Sequence, residues 1–187
     1  MTILVDCDDV IFNLLPSWVN YLNNKYDLVV QTSDIKNWDL ALAFPTLSKE
    51  QICEPLLLES FWDNVKPIPN AIESLEYLHN KGHNIYIVTA THYGTIYNKM
   101  TKMILKYMPQ WFDYKNLIIA YNKGMIIGDV LIDDYVNNLS SFRGKRILLN
   151  KPYNNNVSTD IIVVNDWDSI VDVLDSLDKY HKFNKLY

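Results

Sequence analysis

Carboxylates stand at two points of this 187-residue sequence where they suit chemistry on a phosphoryl group. Asp6, Asp8 and Asp9 follow the apolar run Ile3-Leu4-Val5, and Asp133-Asp134 follow Val130-Leu131-Ile132. Thr89 closes the run Ile85-Tyr86-Ile87-Val88, and Lys123 comes soon after Leu117-Ile118-Ile119. Carboxylates brought together repel, and each resists ionising beside the others. A hard divalent cation relieves that repulsion, and Mg²⁺ in particular prefers a few carboxylates, several waters and phosphate oxygens. With one ammonium and one hydroxyl added, the set can neutralise and hold a phosphoryl group. Taken singly, each feature has a plainer reading. An Asp-x-Asp at a strand end is usually turn chemistry, Lys123 alone reads as a surface lysine, and Thr89 alone as a helix N-cap. The information lies in their order along the chain.

For these groups to meet, the runs that precede them must be neighbouring strands. Short apolar runs rich in Ile, Leu and Val read as strands buried on both faces, the pattern of a parallel sheet. Six such runs are present, the last two being Ile147-Leu148-Leu149 and Ile161-Ile162-Val163-Val164. Between them lie helical patterns. One opens at Pro69, carries Ile72, Leu75 and Leu78, and ends at Gly82; another runs through Ile96, Met100, Met103 and Ile104 towards Pro109; the last carries Trp167, Ile170, Val171, Leu174 and Leu177. The link from Ile119 to Val130 is too short for a usual crossover helix and has room for a turn or two. The expected fold class is α/β, a three-layer Rossmann-like core around a parallel sheet. In such sheets ligands bind beyond the carboxyl ends of the strands, which is where Asp6, Thr89, Lys123 and Asp133 fall. Residues 14–65 break the rhythm. Pro16 is the expected start of a helix with Trp18, Val19, Leu22 and Tyr26 on one face, and Ser48 with Gln51 forms a capping-box pattern before Ile52 and Leu56.

Composition narrows the partners. The net charge is −5, and the only basic cluster is the tail around Lys179, Lys182 and Lys185. A nucleic-acid polymer, bound by clustered Lys and Arg, is therefore not expected, whereas a single nucleotide is compatible. No apolar stretch approaches the roughly 20 residues that cross a bilayer, so no membrane partner is expected. Cys7 and Cys53 lie far apart, with Cys7 read as a buried thiol, which suits a reducing, cytoplasmic setting. His79, His83 and His181 show no metal-ligand spacing, His92 reads as an exposed loop residue, and no Gly-x-Gly-x-x-Gly or Walker loop is present.

The four ordered features resemble the motifs of the haloacid dehalogenase (HAD) superfamily. The first is Ile3-Leu4-Val5-Asp6-Cys7-Asp8-Asp9-Val10, the second Thr89, the third Lys123, and the fourth Gly128-Asp129-Val130-Leu131-Ile132-Asp133-Asp134. Within the superfamily the chain is most similar to the 5′(3′)-deoxyribonucleotidase family. The return segment Phe61-Trp62-Asp63-Asn64-Val65-Lys66-Pro67-Ile68-Pro69 and the late Asn165-Asp166-Trp167 share that likeness. The resemblance implies a catalytic core of residues 1–13 and 66–187 and a small helical cap at 14–65. It implies a Mg²⁺-dependent phosphomonoester hydrolase acting on nucleoside monophosphates. Asp6 would be the covalent nucleophile and Asp8 the acid and base. Thr89, Ala90 and Lys123 would hold phosphate. Asp6, the main-chain carbonyl of Asp8, and Asp133 would hold Mg²⁺, with Asp134 orienting its waters or Lys123. Among the aromatics Trp38, Phe44, Phe61 and Trp62, Trp38 is the first choice for stacking on a base. Other small phosphomonoesters, or a retired HAD fold that only binds, are the alternatives; assembly is open, with a homodimer allowed. The sequence departs from the family at Asp9, where Gly is common, at Ala90, where Ser is common, at Thr91-His92-Tyr93, where a Pro usually follows, and at Leu14, where an aromatic is expected.

Overall fold

The computed structural model describes residues 1–154 and 157–184. Asn155, Asn156 and Lys185, and the side chains of His181 and Lys182, lie outside the described residues. The six apolar runs form one sheet of six parallel strands: β1 (Thr2–Val5), β2 (Asn84–Thr89), β3 (Leu117–Ile119), β4 (Val130–Asp133), β5 (Lys145–Leu149) and β6 (Ile162–Val164), in the order β3-β2-β1-β4-β5-β6. β1 lies between β2 and β4, with Val5 opposite Ile87 on one side and Ile132 on the other. The chain builds outward from β1 to β3, then crosses back to β4. The end of β1 is therefore the point where the strand order reverses, the usual place for a ligand in an open α/β sheet.

Alternation within the strands separates the two layers of core. Ile3 and Val5 point to the face covered by α4 (Ala71–Asn80) and α8 (Trp167–Asn184), and pack with Leu75, Leu78, Trp167 and Leu174. Leu4 points to the opposite face, with Leu131, Leu139, Phe142 and Leu148. Each such side chain, fully buried, contributes about 1.5–3 kcal/mol. On the first face a continuous helix is assembled from α5 (Ile96–Asn98), a π-helical stretch at Lys99–Ile104, and α6 (Leu105–Tyr107). The short link from β3 to β4 contains only a 3₁₀ turn at Lys123–Met125, as its length required.

Residues between β1 and α4 form α1 (Leu14–Tyr26), α2 (Lys49–Cys53), α3 (Glu59–Asn64) and intervening 3₁₀ turns. Leu15, Val19, Leu22, Ile35, Phe44 and Ile52 pack together there, and Tyr153 from the loop after β5 joins them. The capping box at Ser48 and Gln51 is present, with Gln51 N–H donating to Ser48 Oγ at 3.3 Å and Ser48 N–H to Gln51 Oε1 at 2.8 Å. The two chain segments that enter and leave this region are paired: Asn13 N–H donates to Lys66 O at 2.9 Å, and Ile68 N–H to Ile11 O at 2.8 Å.

Two helix starts differ from the sequence reading. α1 begins at Leu14, with Pro16 inside its first turn, where a missing N–H costs nothing. The carboxylate of Asp9 reaches from the preceding loop to accept Leu15 N–H, so the helix is capped from six residues upstream. α4 begins at Ala71 rather than at Pro69, because Asn70 takes a left-handed conformation (φ 63°) that interrupts the chain between them. Among the described residues no helix is long and apolar enough to cross a membrane.

Candidate active site

The loop after β1 turns sharply because its main chain bonds to itself. Asp9 N–H donates to Phe12 O at 2.7 Å, and Cys7 O accepts from both Ile11 and Phe12 N–H at 3.1 Å. The turn needs a left-handed residue, and Asp9 supplies it at φ 53°. Gly is the usual occupant of such a position, and Asp is among the few other residues that tolerate it. Trp167 Nε1–H, donating to Val10 O at 2.8 Å, ties the loop to α8. Asp6 and Asp8 are thus held on a fixed turn at the rim of the sheet.

Lys123 enters from the other side of β1. Its 3₁₀ turn is capped by Asn122, whose Oδ1 accepts Gly124 N–H at 3.1 Å. Gly124 presses against α7 (Val136–Ser140) and the residue after it, so closely that a Cβ there would lie 2.8 Å from Ser141 O. The Lys123 side chain is buried, and its ammonium lies 2.5 Å from Asp6 Oδ1 and 2.6 Å from Asp133 Oδ2. Burial works against the charge on Lys123, but Asp6 and Asp133 together override it and raise its pKa above the ordinary lysine range. Asp133 also accepts at Oδ1 from Tyr135 N–H at 2.9 Å and Asn138 Nδ2 at 3.0 Å. Burial, reinforced by Asp6 and opposed by Lys123, pushes the Asp133 carboxyl up to about 6. Asp134 is pushed well above the carboxylate range by burial and then by Asp133, Asp6 and Asp9, while the Tyr153 hydroxyl that donates to its Oδ2 works the other way.

A second ammonium completes the site. Lys99, wholly buried at the start of the π-helical stretch, places Nζ 2.6 Å from Asp8 Oδ2 and 2.6 Å from Thr89 Oγ1. Burial raises the pKa of Asp8, with Lys99 opposing and Asp6 adding to the rise. The other oxygen of Asp8, Oδ1, is buried and has no hydrogen-bond partner. The wider turn of a π-helix commonly marks a functional position. Lys99 was not among the residues that the sequence points to. A signal was available: Ile96, Lys99 and Met103 share one helical face by their spacing, so an ammonium lies on an apolar stripe.

The structure brings Asp6, Asp8, Thr89, Lys123, Asp133 and Asp134 to one rim, with Ala90 next to Thr89 in the half-buried turn that follows β2. One oxygen each of Asp6, Asp133 and Asp134 lie within 4.8 Å of one another, a donor set that fits a hard, oxygen-seeking cation. Asp9, read from sequence only as a departure, adds a fifth carboxylate and the α1 cap. Trp38 stands at the edge of this group. It is 45% exposed, stacks on Tyr135 with centroids 5.6 Å apart, and meets Tyr153 edge-on at 5.2 Å. Phe44, Phe61 and Trp62 are buried in the apolar cores and present no face to a ligand, which removes them as stacking candidates. A cavity of about 330 Å³ opens beside Trp38, lined also by Asp9, Leu14, Trp18, Ile35 and Ile52.

Asp9 yields a pH prediction. Its carboxyl is pushed up to about 7, chiefly by burial, against the help of Lys151 and Leu15 N–H. The folded chain therefore holds this proton more tightly than the unfolded chain does, so the contribution to stability is greatest below about pH 4 and is lost as pH rises towards 7. Asp9→Asn keeps an acceptor for Leu15 N–H without the buried charge. Relative to wild type it is expected to melt about 3 °C or more higher at pH 8, equivalent to ~1 kcal/mol in a chain of this size, with the gain clearly smaller at pH 5 and vanishing only below about pH 4. Thermal melts of the two proteins at both pH values check this.

The β3-β2-β1-β4-β5-β6 parallel sheet, with an acidic rim and two buried ammonium groups at its reversal point, has the fold of the HAD-like proteins. A HAD family hydrolase from Deinococcus radiodurans with bound phosphate and sodium has the same fold, with TM-score 0.56 at 13% identity over 90% of this chain and 92% of that one. The family described as 5′ nucleotidase, deoxy (Pyrimidine), cytosolic type C matches residues 1–179, and the chain belongs to it. It is 32% identical over 166 residues to the 5′(3′)-deoxyribonucleotidase of Clostridium acetobutylicum, covering 89% of this chain and 90% of that protein. The 5′(3′)-deoxyribonucleotidase of Bacillus subtilis is 31% identical over 169 residues, 90% and 95% of the two chains. The chain is a phosphatase of the nucleotidase kind.

Proposed function

We propose that the chain hydrolyses deoxynucleoside monophosphates, at the 5′ or the 3′ phosphate, through a phosphorylated Asp6. The observation that carries the reading is the pairing of each aspartate of the first motif with its own buried lysine: Asp6 with Lys123, and Asp8 with Lys99. Lys123 holds Asp6 Oδ1, so the attack on phosphorus falls to Oδ2. As that bond forms, the bond from phosphorus to the leaving oxygen breaks, and Asp8 gives that oxygen its proton. The unpartnered Oδ1 of Asp8 is the atom suited to carry it, because Lys99 occupies Oδ2. Burial raises the Asp8 carboxyl in the direction an acid needs. In the second half, Asp8 takes a proton from water, the water oxygen bonds to phosphorus, and the Asp6–phosphorus bond breaks to free phosphate. Lys99, Lys123 and the hydroxyl of Thr89, with the main chain at Ala90, would hold the phosphoryl oxygens in line; such positioning dominates this chemistry.

Asp6, Asp133 and the carbonyl of Asp8 would hold Mg²⁺, with Asp134 beside them, and the ion would supply charge neutralisation for the phosphoryl oxygens. Residues 14–65 would act as the cap, with the cavity beside Trp38 and Leu14 receiving the base; a stacked base is worth about 1–3 kcal/mol. Both cysteines are free, which supports a cytoplasmic setting.

The test is phosphate release from a panel of deoxynucleoside 5′- and 3′-monophosphates, ribonucleotides and sugar phosphates, with Mg²⁺ and with chelator. Deoxynucleoside monophosphates are expected to turn over fastest, and chelation to stop all release. Faster turnover of sugar phosphates would overturn the substrate, and no turnover of any monophosphate would leave a binding protein.

A further inference from the structure

Two tyrosines hold the acidic pair at the end of β4, and one cap residue touches both. Tyr153, itself buried, donates its hydroxyl to Asp134 Oδ2. Tyr135 donates its N–H to Asp133 Oδ1 at 2.9 Å. The loop that carries Tyr153 is fixed to the turn that carries Tyr135: Asn154 Nδ2 donates to Asp134 O at 2.6 Å, and Val136 N–H donates to Asn154 Oδ1 at 3.3 Å. Across this double turn lies the indole of Trp38, stacked on Tyr135 at 22° between planes and edge-on to Tyr153 at 65°. Tyr153 also belongs to the apolar cluster of the cap helices.

We propose that Tyr153 and Tyr135 are positioning residues for Asp134 and Asp133, and that Trp38 holds both of them, so that the cap must be seated for the acidic pair to take its cation-binding arrangement. This deepens the proposed function and rests on its reading that the acidic rim takes a divalent cation. Asp133 is a proposed ligand, and Asp134 stands beside it with an oxygen within 4.8 Å of oxygens of Asp6 and Asp133; losing a group that orients such carboxylates typically weakens metal binding about 10–100-fold. An aromatic pair contributes through geometry as well as area, so Trp38 fixes ring orientation and not merely proximity. The double contact also gives Trp38 a role that does not depend on substrate. A tryptophan that served only to stack a base would leave cation uptake by the substrate-free protein untouched.

Calorimetric titration of Mg²⁺ into the full, substrate-free chain tests this with three proteins. Tyr153→Phe keeps the ring against Trp38 and removes only the hydroxyl; Trp38→Ala removes the ring from an exposed position and leaves the tyrosines in place. Mg²⁺ affinity is expected to fall about 10-fold or more in Tyr153→Phe, and about threefold or more in Trp38→Ala, where the loss is indirect. Wild-type affinity in Tyr153→Phe would overturn the role of Tyr153. Wild-type affinity in Trp38→Ala, with a raised KM for nucleotide, would overturn the link to the cap even if Tyr153→Phe did not fold. If the wild-type chain itself takes up no Mg²⁺, the cation reading fails and this inference fails with it.

Discussion

Asp6→Asn is expected to reduce turnover of any phosphomonoester by at least about 10³-fold, the scale of loss when a nucleophile is removed. The amide has the shape of the carboxylate and one oxygen that can still accept from Lys123, now at 2.5 Å from Asp6 Oδ1. Asp133 keeps its own bond to Lys123 at 2.6 Å, so the buried ammonium is not abandoned. The fold should therefore survive. What is lost, on the proposed mechanism, is the anionic oxygen that attacks phosphorus, and the amide nitrogen cannot replace it. A thermal melt at or above the wild-type value, together with phosphate release at background, is the expected pair of results. Retention of a tenth or more of wild-type turnover, an order of magnitude that no background explains, would place the nucleophile elsewhere.

Asp8→Asn is expected to cost about 10²–10⁴-fold, the range for a general acid and base, and the loss should depend on the leaving group. A nucleoside oxygen leaves as a strongly basic alkoxide and needs the proton from Asp8. A nitrophenolate does not, so the first step with p-nitrophenyl phosphate should survive the substitution. The second step, in which Asp8 takes a proton from water, is impaired with every substrate. The asymmetry follows from the basicity of the two leaving groups; on the proposed mechanism the proton carrier is Asp8 Oδ1, buried and without a partner, while Lys99 holds Oδ2 at 2.6 Å. Parallel loss with both leaving groups in the first step would assign the proton transfer to another residue.

The strands and their ends were legible in the sequence for a physical reason. A strand buried on both faces of a parallel sheet must be apolar throughout, so Ile3-Leu4-Val5 and Val130-Leu131-Ile132 stand out, and the first polar residue after each marks the rim. Lys123 could be placed because it follows the third apolar run closely and stands in order between Thr89 and Asp133. Lys99 was hidden because its helix also carries Lys102 and Lys106, which reach out to Glu59 and Asp63 and look the same in sequence; only the π-helical stretch and the apolar stripe set Lys99 apart. The bond between Tyr153 and Asp134 joins loops after different strands, 19 residues apart, and no local pattern announces it. α4 starts after the left-handed Asn70 and not at Pro69, because a backbone conformation overrode a residue preference, and α1 starts at Leu14, ahead of Pro16, with Leu15 N–H held by the Asp9 carboxylate, a bond from six residues upstream that no local pattern announces. Trp38 was found as an aromatic worth attention, but its contacts with Tyr135 and Tyr153 are tertiary and became visible only in the fold.

The central claim is that phosphate passes through Asp6. The most direct measurement mixes Asp8→Asn with p-nitrophenyl phosphate and Mg²⁺, follows nitrophenolate release from the first turnover, then quenches in acid and weighs the peptides. A burst close to one equivalent of enzyme is expected, followed by slow release, with the added mass of one phosphoryl group on the peptide that contains Asp6. Linear release without a burst, and no phosphoryl group on that peptide, would contradict the account.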